Sequence, residues 1–230
     1  MIFSSCFNRQ ARAVSAVITA FILSAVSCRA VKPSSSSQPQ TGFSVVTTIF
    51  APYDFTRQII KGTDTKVTML LPPGAEVHSW EPSAQDMITI RKSGLFIYAG
   101  GEGDVWADNL AASFDSKTTA LRMTDCVKLV EEAHPEGMEP EEEDDSGKDE
   151  VEWDEHVWMS PKNAMLIAGR ICDTLCRLDS RNSAVYRQNT DTYIRQLQKL
   201  DDDFRAAVKD GKRTTIVFAD RFPARYFTEE

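Results

Sequence analysis

Histidine is scarce in this sequence. There are three among 230 residues, His78, His134 and His156, so chemistry built on imidazole has few possible sites. The H-E-x-x-H arrangement of zinc proteases is absent, and so is the G-x-S-x-G elbow of serine hydrolases. None of the five cysteines forms a C-x-x-C pair, so the usual paired-thiol zinc spacing is missing. No apolar run reaches the roughly 20 residues a bilayer span needs. No compact basic patch with interleaved aromatics offers itself to nucleic acid. At 42% apolar and 26% charged, the chain is neither collagen-like, nor wholly disordered, nor a polytopic membrane protein. Its length suits one large domain or two small ones.

What is present in excess is acid, and it sits in one place. Residues 131–155 hold fourteen carboxylates and one base, Lys148, a local net of −13. The whole chain is at −8, so the remainder carries +5, and the acidic balance describes one segment rather than the body. That segment also holds Pro135, Gly137, Pro140 and Gly147 and little that is apolar. Like charges at this density repel, which predicts a solvated loop.

Residues 1–28 read as a targeting segment. Arg9 and Arg12 precede an uncharged, mostly apolar stretch, 13–27, with the length of a signal-peptide h-region. It ends Ala25-Val26-Ser27-Cys28, which resembles the lipobox of bacterial lipoproteins, although Ala25 stands where leucine is usual. That resemblance implies a lipidated Cys28 as the first mature residue; plain secretion with a free Cys28 is the alternative. Residues 29–41, rich in Ser, Pro and Gln, read as a flexible tether.

The rest alternates strand and helix signals. β-branched or apolar runs at 43–48 (FSVVTT), 66–71 (KVTMLL), 95–99 (LFIYA) and 214–218 (TTIVF) predict strands. Helical spacing follows Pro52. A second helix begins at Ser83, and a third covers about 105–114. A long helix opens at Pro161 and carries Ala164, Ala168, Ile171, Leu175 and Leu178. Another runs from about Tyr186 to Gly211. Cys172 and Cys176 share one helical face and read as small core residues. Alternating elements predict βαβ units around parallel sheets. The strand at 214–218 has no partner after it, so a second lobe would be incomplete.

His78 follows a strand within P-P-G-A-E-V-H-S-W-E-P-S, and His156 precedes a helix within D-E-H-V-W-M-S-P. Asp220 also lies just past a strand run. Ligands of parallel α/β sheets gather at the carboxyl ends of strands. Two imidazoles and a carboxylate there suit a first-row divalent metal. Taken by spacing alone, two scattered histidines are more often surface or capping residues.

The two strings together resemble the zinc/manganese-type solute-binding lipoproteins of bacterial ABC importers. That family has P-x-G-x-x-x-H-x-[WYF]-E-P after its second strand and D-P-H-x-W-[LM]-[SD]-P before a helix. The resemblance implies two parallel-sheet α/β lobes joined by a long interlobe helix, the C-terminal lobe here being incomplete. Residues 42–160 would be the metal-binding lobe with its acidic loop 131–155, 161–179 the interlobe helix, and 180–230 the partial second lobe. It implies His78 and His156 as first-lobe ligands of Zn²⁺, or Mn²⁺, with Asp220 as a second-lobe ligand. Asp220 could instead cap the next helix or pair with Arg221 or Arg225. Glu155 departs from the family pattern, which has proline there. Trp80 and Trp158, each two residues after a histidine, would either shield the site or serve as ordinary core.

The implied protein is a monomeric, lipid-anchored, extracytoplasmic (or periplasmic) receptor. It would deliver metal to an ABC permease, with no enzymatic activity and no nucleic-acid partner. The alternatives are a metal-binding surface adhesin or buffer and a secreted zinc hydrolase. For the hydrolase only Glu155 could be the base, and a residue adjacent to a ligand usually points elsewhere. The acidic loop, with His134, Glu141, Glu142, Glu143, Asp144 and Asp145, is either a solvated insert or a metal-gathering arm. If the loop gathers cations, deleting residues 131–150 slows zinc association at low salt in stopped-flow measurements and has less effect at high salt. An unchanged on-rate leaves the solvated insert.

Overall fold

The structure is a computed structural model that describes residues 42–132, 152–218 and 222–230. Cys28, His134, the acidic residues 141–145 and Asp220 lie outside them. Four short strands form one parallel sheet: β1 (Ser44–Thr47), β2 (Lys66–Met69), β3 (Leu95–Tyr98) and β4 (Thr119–Arg122), in the order β2-β1-β3-β4. Val45 sits opposite Val67 on one side and Leu95 on the other, and Leu95 opposite Thr119. The helices are α1 (Phe50–Ile59), α2 (Ala84–Lys92), α3 (Val105–Ala111), α4 (Pro161–Leu178), α5 (Ser183–Lys209) and α6 (Arg225–Glu229).

Every residue of β3 is buried, as expected when helices cover both faces of a parallel sheet. The period-2 alternation of the strands divides the core. Val45, Leu95, Ile97 and Leu121 face one way and pack with Phe55 and Ile59 of α1 and Ile167, Ile171 and Leu175 of α4. Val46, Phe96 and Tyr98 face the other way and pack with Ile90 of α2 and Ala107 and Leu110 of α3. Each such aliphatic side chain contributes about 1.5–3 kcal/mol through burial, which is ample to override the shortness of the strands.

Helix starts follow local chemistry. Ser83 forms a capping box with Asp86: Ser83 Oγ accepts from the Asp86 N–H, and Asp86 Oδ2 accepts from the Ser83 N–H. Ser160 Oγ accepts from the Asn163 N–H ahead of Pro161 at the first position of α4. Cys172 and Cys176 are buried, unbridged neighbours, and Cys126 is also free.

One strand was not expected from the sequence, and one expected strand is absent among the described residues. β4 carries no strong strand signal, because in TALR only Leu121 is buried and the remaining positions are partly or fully exposed. It forms by adding to the edge of β3. Conversely, residues 214–218 form no strand. They lie exposed, Val217 at 88%, with no neighbouring strand among the described residues to pair their backbone groups. The two long helices differ in burial. α4 is embedded in the main core along its length. α5 starts buried at Tyr186, Thr190 and Leu197 and ends with Leu200, Phe204 and Val208 exposed. No helix among the described residues is long and apolar enough to cross a membrane.

The α4–α5 junction is pinned by a buried polar cluster. The Tyr186 hydroxyl donates to Asp179 Oδ2 at 2.8 Å and lies 2.6 Å from Thr65 Oγ1, while Asn182 Nδ2 donates to the same Oδ2 at 2.8 Å. Burial opposes ionisation of Asp179. The hydrogen bonds from Asn182, Tyr186 and Arg181 outweigh it and hold the carboxyl below its ordinary value. Its contribution is therefore present above the unfolded carboxylate pKa of 3.8 and lost as pH falls through the lower folded value. Tyr186→Phe is expected to cost about 1–3 kcal/mol, because Asp179 and Thr65 stay buried without the hydroxyl. Urea unfolding at pH 7 measures it, and a wild-type midpoint would contradict the role given to this cluster.

Candidate metal centre

All four strands run the same way, so the loops at their carboxyl ends share one edge of the sheet. The β2 loop brings His78. Glu76 shapes its turn: Oε1 accepts from the His78 N–H at 3.0 Å and Oε2 from the Ser79 N–H at 2.7 Å. The hydrogen bond from the His78 backbone, followed by that from Ser79, holds the Glu76 carboxyl below its ordinary value.

The β3 loop is a glycine turn. Gly101 has φ +121°, a conformation that side chains rarely adopt, and a Cβ there would lie 2.0 Å from Glu155 Oε2. Only glycine lets the Glu155 carboxylate occupy that space. Asp104 Oδ2 accepts from the Gly100 N–H at 3.0 Å, and burial pushes the Asp104 carboxyl up.

The third loop precedes α4. Its entry is held by an antiparallel bridge between Glu131 and Trp153 and by the Asp154 N–H donating to the Val130 carbonyl at 3.0 Å. The Tyr226 hydroxyl donates to the Asp154 carbonyl at 2.7 Å. Asp154 is 1% exposed. Its Oδ1 accepts from the His156 N–H at 2.7 Å and sits 3.1 Å from His156 Nδ1. A carboxylate there favours the tautomer with a proton on Nδ1 and leaves Nε2 open to a metal, the orienting arrangement common around metal-bound histidines. Burial pushes the His156 imidazole down, but the Asp154 hydrogen bond and charge, with Glu155, carry it above its ordinary value.

These loops converge. His78, Glu155 and His156 each offer a ligand atom within 4.8 Å of the other two, and the imidazole centroids are 6.1 Å apart. His78 Nδ1 lies 3.7 Å from Glu155 Oε1. Two imidazoles separated by 78 positions in sequence thus meet at one spot, partly open to solvent. Asp220 lies outside the described residues. Glu155, expected to point away, points into the same cluster, because the Gly101 turn leaves room for it. Burial pushes the Glu155 carboxyl up, against the pull of the two histidines. The glycine pair after β3 was the signal in the sequence that could have found it.

Trp158 lies beside the site, its ring 5.4 Å from that of His156. Trp80 instead packs edge-on against Trp106 at 5.9 Å in the second core layer. A cavity of about 630 Å³ runs along β2 and Pro72–Ala75 and does not include the histidines. A single ion needs convergent donors, not a large cavity.

Residues 45–230 match the family described as zinc-uptake complex component A periplasmic (ZnuA). The chain belongs to that family. It is 32% identical over 181 residues to the zinc-binding protein AdcA of Streptococcus pyogenes, covering 75% of this chain and 35% of that protein. It is 29% identical over 187 residues to the zinc-binding lipoprotein AdcA of Streptococcus pneumoniae, covering 80% and 36%. The chain therefore spans about a third of the length of these curated relatives. Among solved structures, the Zn(II)-bound ZnuA-like domain of S. pneumoniae AdcA aligns with a TM-score of 0.67 at 26% identity, over 82% of this chain and 63% of that one.

Gly101→Ala is expected to destabilise the fold by about 1–3 kcal/mol, through the strained φ and the clash with Glu155. Gly103→Ala should change little, since an added Cβ would meet Glu155 Oε1 and His78 Nδ1 at 3.7 and 3.8 Å, ordinary van der Waals contact. Thermal unfolding of both variants measures the difference; equal midpoints would contradict this packing.

Proposed function

We propose that this chain is the metal-capturing part of an extracytoplasmic solute-binding protein of an ABC import system, with zinc as its cargo. The observation that carries the proposal is the convergence of His78 and His156 from separate loops, with Asp154 orienting the second imidazole. Neutral imidazoles bind Zn²⁺ at about 2.0–2.1 Å and carboxylates at about 2.0–2.2 Å. A set of nitrogen and oxygen donors favours zinc over manganese, which prefers more oxygen. The zinc-binding and uptake names of the relatives support the same reading.

Asp220 is retained as a second-lobe ligand, as the resemblance implies. Cargo must also be released, and ligands divided between two lobes would make affinity depend on how the lobes sit. We assign the joining role to α5 rather than to residues 161–179. Its distal residues Leu200, Phe204 and Val208 are exposed at helical spacing, as a surface awaiting a second lobe would be. Lipidation at Cys28, a membrane-tethered location and a permease partner complete the reading; the lipoprotein name of one relative supports the anchor. The chain acts by binding and release, without catalysis.

Competition titration against a chromophoric zinc chelator tests the site. His78→Ala and His156→Ala are each expected to abolish high-affinity zinc binding, and Asp154→Ala to weaken it about 10–100-fold. Wild-type affinity in both histidine variants would overturn the proposal.

A further inference from the structure

We propose that Glu155 is a third metal ligand from the same lobe, so that His78, Glu155 and His156 form a half-site able to hold Zn²⁺ without a donor from elsewhere. This deepens the zinc-capture reading and rests on it. The family pattern has proline at this position, which offers no donor atom.

Three observations carry the inference. The first is distance. A tetrahedral zinc with bonds of about 2.0–2.1 Å places its ligand atoms about 3.3–3.4 Å apart. His78 Nδ1 and Glu155 Oε1 are already 3.7 Å apart, and all three donors lie within 4.8 Å of one another. Closing that gap needs shifts of about 1 Å, within reach of side-chain rotation. The second is accommodation. Gly101, at φ +121°, leaves the space that Glu155 Oε2 occupies, and a Cβ would take it away. The third is charge. Two neutral imidazoles leave Zn²⁺ uncompensated, and a half-buried carboxylate between them neutralises part of it where water is partly excluded.

Three protein donors and one open position describe a site that captures zinc before any second-lobe ligand arrives, and the open position is where that ligand or water would enter.

Glu155→Gln keeps the shape and removes the anionic donor. Zinc titrations of the full chain, with circular dichroism to verify folding, are expected to give affinity lower by about 100-fold, at the upper limit for losing an outer-sphere partner. Co²⁺ in place of zinc separates ligation from a charge effect. The visible d–d bands of the wild type should shift and change intensity in Glu155→Gln. Unchanged affinity, or reduced affinity with an unchanged Co²⁺ spectrum, overturns the ligand role of Glu155 while the histidine site stands. Wild-type zinc binding by His78→Ala and His156→Ala would instead remove the reading beneath it.

Discussion

The structure depends on β3 being buried on both faces. Leu95 and Ile97 point into one core layer and Phe96 and Tyr98 into the other, all nearly inaccessible to water. A strand in that position cannot turn over or slip without moving apolar side chains across the sheet. Its neighbours β1 and β4 are therefore held parallel and in register, with β2 parallel beyond β1, and the loops that leave their carboxyl ends are delivered to one edge. The metal centre follows from that. No local sequence signal draws position 78 toward position 156; the sheet does.

Around the centre, polar groups are arranged by burial rather than by surface charge. Asp154 is the pivot: its carboxylate fixes His156, its N–H reaches Val130, and its carbonyl is held by Tyr226. The strongly acidic insert starts and ends beside this pivot, at the Glu131–Trp153 bridge. Glu155 completes the cluster: its carboxylate lies among the two imidazoles, 3.7 Å from His78 Nδ1.

Much of this was legible from sequence. The alternation of strand and helix, the cap at Ser83, the helix start at Pro161 and the core face of α4 follow from periodicity and turn chemistry. The two histidine strings stood out because each couples an imidazole to proline and an aromatic. What escaped detection shares a physical cause, dependence on neighbours distant in the chain. β4 is too polar and short to declare itself and exists because β3 offers it an edge. Residues 214–218 have strand composition but no partner strand among the described residues, so composition alone misled. Glu155 looked like a bystander beside a ligand. Its direction is set by a glycine turn more than fifty positions away in sequence.

The most direct measurement is anomalous diffraction at the zinc absorption edge from crystals of the zinc-loaded protein. A single strong peak is expected about 2.0–2.2 Å from a nitrogen of His78 and a nitrogen of His156. Zinc bound only among the carboxylates of the acidic insert, with those two imidazoles free of metal, would contradict it.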